Sequence, residues 1–133
     1  MEQRDYFLKQ IDQLGKALAN VLSLLMQKGF NNSAMSNLEM IDKVLKENLH
    51  IDMQNLIDQK EESFIQYLLG ELNISFNNLE LLSETIKVFA ESSDQNIKIY
   101  KKALIILEYV QKNSKDYSFD RQNKIMEIER KTH

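Results

Sequence analysis

The chain has 133 residues, of which 43% are apolar and 28% charged; it carries a net charge of −3 and contains no proline, cysteine or tryptophan. Without cysteine there can be no disulfide framework, thiolate metal site or cysteine nucleophile. The negative balance is a poor match to duplex DNA. An average chain is about 5% proline and about 7% glycine, so zero proline and three glycines leave few helix breakers and point to an all-α fold. The length suits a single domain, 1–133. Met1-Glu2-Gln3-Arg4-Asp5 has acids where a signal peptide has a basic region before an apolar one. No run of 18 apolar residues occurs, so a cytoplasmic protein without a membrane partner is expected.

Taken in order, the first element is the plainest. Phe7, Ile11, Leu14, Leu18, Val21 and Leu25 recur in steps of four and three and predict a helix over 3–28. Leu8, Leu22 and Leu24 widen its stripe. Gly29 suits a left-handed C-terminal cap, and Gly15, costly inside a helix, suggests a close helix–helix approach. Ala34, Leu38, Ile41 and Leu45 mark a second helix behind Asn31-Asn32-Ser33, which completes a helical hairpin over 3–48.

The stretch 49–74 is less regular. Asp52 is placed to cap a short helix around Met53, Leu56 and Ile57. Asp58 and Glu61 have capping-box spacing before a helix holding Phe64, Ile65, Tyr67, Leu68 and Leu69. Asn73 or Ser75 then opens a helix striped by Phe76, Leu79, Leu82, Ile86 and Phe89. Asp94 caps the next, over 95–112, which carries two apolar strips: Ile97, Tyr100, Leu104 and Leu107, then Ile99, Ala103, Ile106 and Val110. So wide an arc implies packing on more than one side. A second hairpin thus spans 76–112, and a charged helix over 118–131, capped by Ser118, closes the chain. Its apolar residues are Phe119, Ile125, Met126 and Ile128. Gly70 has no evident role.

Two stretches echo one another. Ile11-x2-Leu14-Gly15-x2-Leu18 is followed by Ala34-x3-Leu38-x2-Ile41. Leu79-x2-Leu82-Ser83-x2-Ile86 is followed by Ala103-x3-Leu107-x2-Val110, an offset of 68 to 69 positions or about two tetratricopeptide units. The pattern resembles that repeat, with aliphatics for its aromatic residues, helices about two turns longer and no terminal proline. About seven helices in antiparallel hairpins would then form either a tetratricopeptide-like right-handed stack or a compact helical bundle. Both use the same stripes. Arg4-Asp5-Tyr6-Phe7 with Ile11-Asp12-Gln13-Leu14, the Gly29-Phe30 turn, Ala34 and Ile41-Asp42 also resemble a bacterial family of short all-helical proteins with no assigned activity. That resemblance implies a tetratricopeptide-like fold and supplies no catalytic residue.

Residues with chemistry to offer are few. His50 follows Glu47 in the Glu-x-x-His spacing of di-metal carboxylate bundles, but those sites need two such motifs. A surface histidine at a helix C-terminus is the simpler account, and no metal or cofactor is expected. Glu80 and Glu84, like Glu127 and Glu129, read as solvated pairs. No phosphate-cradling or nucleophile motif occurs, so no enzyme is expected. Lys98, Lys101 and Lys102 share a face and, with Lys112 and Lys115, offer a docking point for an acidic peptide or a nucleic-acid backbone; a solvated face is the commoner reason for such a run. Met26, Met35, Met40 and Met53 suit an adaptable surface or a core equally.

The leading expectation is a non-enzymatic module that binds a protein or peptide. By the repeat spacing, its groove would be faced by Lys9, Asp12, Lys16 and Asn20, then Asn77, Glu80, Glu84 and Lys87. The alternatives are a self-associating structural protein, a homodimer through the first helix, and a small regulator touching nucleic acid through the 95–115 lysines.

Overall fold

A computed structural model describes residues 13–25, 34–93 and 96–132. Every regular element among them is helical, so the fold is all-α. The chain divides into two compact units, Met1–Asp58 and Gln59–His133.

In the first unit, α1 (13–25) buries Leu14, Leu18, Val21 and Leu25, the stripe its periodicity predicts. Leu22 is half-buried and Leu24 exposed. The ends of the expected 3–28 helix and the Gly29 cap lie outside the described residues. Helix α2 (Ala34–Leu49) buries Ile41 and Leu45, and the short α3 (Met53–Ile57) buries all three of its apolar side chains, Met53 among them. Two carboxylates hold the start of α3, because the first amides of a helix have no partner within it. Asp52 accepts from the Asn55 N–H at 2.8 Å, as expected, and Asp42 of α2 accepts from the Met53 N–H at 2.8 Å. The second bond, across eleven residues, ties α3 to α2.

His50 ends α2 in the left-handed region, at φ 60°, with its N–H donating to the Lys46 carbonyl at 3.1 Å. This is the single-bond C-terminal cap usually given to glycine.

The second unit opens with a composite helical stretch. A 3₁₀ turn, Glu61–Ser63, leads into α4 (Phe64–Gln66) and then a wider π turn, Tyr67–Glu71. The capping box expected at Asp58 and Glu61 does not open it. Asp58 keeps a helical backbone (φ −77°, ψ −6°) as the last cap of α3, whereas an N-cap needs an extended one, so the turn starts behind Lys60. At the far end Asn73 takes φ 57° and the Ile74 N–H reaches the Leu68 carbonyl at 3.0 Å. A Cβ added to Gly70 would meet nothing within 4 Å, so no steric constraint holds glycine there.

Three long helices follow: α5 (Phe76–Glu91), α6 (Asn96–Asn113) and α7 (Phe119–Thr132). Ser75 starts α5 through its backbone, and among the described residues its buried hydroxyl has no partner. Ser118 caps α7 as expected, accepting from the Arg121 N–H at 3.1 Å; Asp94 lies outside the described residues. Helix α6 is the centre, packed against α4, α5 and α7. The Phe76 and Tyr109 rings meet edge to face at 6.1 Å, which sets α5 and α6 antiparallel. Gln111 meets Gln122, and Tyr100 meets Lys131, which sets α6 and α7 antiparallel. The core comprises Phe64 and Leu68, then Leu79, Leu82 and Ile86, with Ile99, Ala103, Ile106 and Val110 against Ile125 and Ile128. Of the two strips expected on α6, the second is buried throughout, whereas Ile97 of the first is 51% exposed.

Two substitutions test the helix ends. His50→Gly relieves a side chain from a left-handed backbone that costs about 1–2 kcal/mol, partly offset by unfolded-chain entropy, and is expected to stabilise by about 0.5–1 kcal/mol. Gly70→Ala, with open space around it, is expected to stabilise by about 0.4–1 kcal/mol. Urea unfolding with an unchanged slope measures both.

Candidate functional site

Helix α6 carries apolar residues on two faces. The face opposite Ile99, Ala103, Ile106 and Val110 holds Ile97, Lys101, Leu104, Ile105 and Glu108. Leu104 and Ile105 are half-buried on it. They lie in a depression of about 390 Å³ that Lys101 also lines, with Glu61 of the 3₁₀ turn and Glu129 and Thr132 of the last turn of α7. The depression therefore has an apolar floor on one helix and charged walls on two other segments. Burial pushes the Glu108 carboxyl above its ordinary value, and Glu129 pushes it the same way. A second depression of about 410 Å³ runs along α2 between Glu39, Asp42, Lys43, Lys46 and Glu47. All of its lining residues are charged.

The residues expected to face a groove are placed differently. Lys9 and Asp12 lie outside the described residues. Lys16 and Asn20 are exposed on α1, and Asn77 is exposed in the first turn of α5. Glu80, Glu84 and Lys87 face α7 and are half-buried. The Nε and Nη2 groups of Arg121 both donate to Glu80 Oε1, at 3.1 and 2.8 Å, while Nη1 donates to Gln111 Oε1 at 2.7 Å. Lys124 Nζ lies 2.8 Å from Glu84 Oε1, and Lys87 Nζ lies 3.5 Å from Glu127 Oε1. The rungs ascend together along both helices, so α5 and α7 run parallel. The expected solvated Glu80/Glu84 pair is instead neutralised by α7, because α7 has too few apolar residues to pack against α5 by burial alone.

Burial disfavours the Lys124 ammonium, but its hydrogen bond and charge pairing with Glu84, helped by Asp120, outweigh that and raise its titration above the ordinary 10.5. Lys131 behaves alike. Desolvation opposes its charge, and Tyr100, Glu91 and Glu127 more than restore it; its Nζ sits 5.2 Å from the Tyr100 ring centre.

The lysine face is also revised. Lys98 and Lys101 are exposed, but Lys102 is only 2% exposed, with Nζ 5.5 Å from the Phe64 ring centre. Position 102 falls on the arc of α6 that α4 covers, where a long stem gains by packing and an aromatic face accepts the cation. His50 is exposed, and no group of three or more metal-ligating side chains occurs among the described residues. No described helix is long and apolar enough to cross a membrane.

Sequence reasoning missed the partners of Glu80 and Glu84. The available signal was the register Arg121, Lys124, Glu127 against Glu80, Glu84, Lys87, in which charge sign reverses at the last rung of both helices. No family model, curated protein or solved structure matches the chain.

The ladder should be uneven. Arg121 is nearly buried and shares three donors, whereas the Glu127 side chain is 45% exposed. A double-mutant cycle of Arg121→Met with Glu80→Gln is expected to give a coupling of about 1–2 kcal/mol, against at most about 0.5 kcal/mol for Lys87→Met with Glu127→Gln. The Lys124 contribution is complete below its unfolded titration and is lost as pH rises through the folded one. Unfolding free energy should therefore fall more steeply above pH 10.5 in the native chain than in Glu84→Gln, measured by urea titration at successive pH values.

Proposed function

We propose that this chain is a non-catalytic helical module that binds a segment of another protein, and that it does so on the outer face of α6. The observation that carries this reading is the depression floored by Leu104 and Ile105 and walled by Glu61, Glu129 and Thr132. Leu104 and Ile105 are adjacent, half-buried aliphatic side chains in a depression edged by polar groups, and an apolar patch with a polar rim is the kind of surface that takes a partner. A helix or extended peptide laid along such a channel places its anchors on the floor and its polar residues on the walls. The hairpin spacing that resembles tetratricopeptide units supports a binding role, since such hairpins present one helical face to a ligand.

This reading moves the contact surface from α5 to α6. Glu80, Glu84 and Lys87 are committed to α7, and using them for a partner would uncover a nearly buried arginine. Lys16, Asn20 and Asn77 remain exposed and are the controls. Docking of nucleic acid on the lysines is the weaker reading, because Lys102 does not face solvent with Lys98 and Lys101.

Peptides selected from a displayed random library by the native chain are the probe. Leu104→Ser and Ile105→Ser are each expected to weaken selected peptides about tenfold or more, whereas Lys16→Ala, Asn20→Ala and Asn77→Ala leave binding unchanged, read by fluorescence anisotropy. Affinity that ignores positions 104 and 105, or a selection that enriches no peptide, refutes the assignment.

A further inference from the structure

Among the described residues, three of the four exposed large apolar side chains of the second unit lie on α7 or just before it. Phe119 is 77% exposed, Tyr117 just before it 64%, and Met126 49%. The Tyr117 and Phe119 rings lie edge to face at 5.0 Å. Each therefore restrains the other in solvent, although both remain largely exposed. Phe119, Asn123, Met126 and Arg130 follow one another at steps of four, three and four, all exposed, on the face opposite Ile125 and Ile128. This is the spacing of a helix that packs against another helix.

We propose that a second copy of this chain covers this face, with the two α7 helices antiparallel and crossing at Asn123. The face is self-complementary, as a two-fold interface requires: whatever residue i meets in the other copy must meet residue i in return. About Asn123, Phe119 falls opposite Met126 of the second copy, and the symmetric contact repeats it. An aromatic ring and a thioether pack favourably. Asn123 falls opposite its own equivalent, a polar pair of the kind that sets register between helices. Arg130 reaches the segment of the second copy that carries Asp116 and Tyr117, which offers it a carboxylate and a ring face. A parallel pairing would instead set Arg130 against Arg130 and Asp120 against Asp120. The contact is one helix of 14 residues, about 21 Å long; it is therefore small, and the dimer is weak and reversible. It uses none of Leu104, Ile105 and Glu61, so it stands or falls independently of peptide binding on α6.

Sedimentation velocity of the full chain, from micromolar to near-millimolar concentration, tests this. A concentration-dependent shift from monomer to dimer is expected. Phe119→Asp and Met126→Glu should each raise the dissociation constant about tenfold or more, without loss of helicity, since both side chains face solvent. Arg130→Asp and Asp116→Arg should each weaken the dimer, and the two together should restore it, an outcome that only the antiparallel register produces. A monomer at every concentration overturns the proposal. So does a dimer indifferent to Phe119→Asp, a dimer broken by Leu24→Asp in α1 instead, or charge reversals whose losses add rather than cancel.

Discussion

The second unit depends on the burial of the inner arc of α6. Ile99, Ala103, Ile106, Leu107 and Val110 are each at most 3% exposed, and α4, α5 and α7 all pack against that helix. Each of the four larger side chains contributes roughly 1.5–3 kcal/mol. Helix α6 is the element that α4, α5 and α7 share, so their placement is referred to it. Ala103, at the middle of the arc, is fully buried. The lysine at 102 follows from the same geometry. An arc wide enough to serve three neighbours includes positions whose natural partner is an aromatic face and not water, and Phe64 supplies it.

The charge ladder is a consequence of what α6 leaves undone. Helix α7 commits Ile125 and Ile128 to the core and has no further aliphatic residue with which to bridge to α5. Long polar side chains span the distance instead, and the register of Glu80–Arg121, Glu84–Lys124 and Lys87–Glu127 aligns the two helices. These pairs differ in worth because water reaches them differently. The Arg121 guanidinium is nearly excluded from solvent and shares its donors between a carboxylate and an amide, so its loss would strand hydrogen-bonding groups in a dry place. The outer rungs are wet and screened.

The same division of labour leaves two surfaces that no described element of the second unit covers. The outer face of α6 holds aliphatic side chains because the helix is apolar around most of its circumference, and the outer face of α7 holds Phe119 and Met126 because its inner face needs only two isoleucines and an arginine. Both surfaces combine apolar groups with charges at their edges, as partner-binding surfaces do. They share the last turn of α7 but make separate demands: a peptide on α6 needs a channel, whereas a second copy on α7 needs symmetry.

Helix periodicity was legible along the chain because it is a local property. The stripes of α1, α2, α5 and α6, the Asp52 and Ser118 caps and the break after Glu91 can all be read from spacing and from side chains that bond within three or four residues of themselves. Where the reading departed from the structure, a distant contact decided. The spacing of Asp58 and Glu61 suits a capping box, but α3 keeps Asp58 helical. Glu80 and Glu84 look like a solvated pair until Arg121 and Lys124 arrive from forty residues away. Lys102 reads as one of a charged run until α4 covers it. Ile97 and Phe119 fit apolar stripes that no described element covers. The sequence by itself determined that the chain is helical, where its described helices lie and which stripe each can bury, because backbone hydrogen bonds and 3.6-residue periodicity act within a few residues. Only the tertiary structure decided which charges are neutralised and which apolar residues stay in water, because both depend on what happens to pack opposite them.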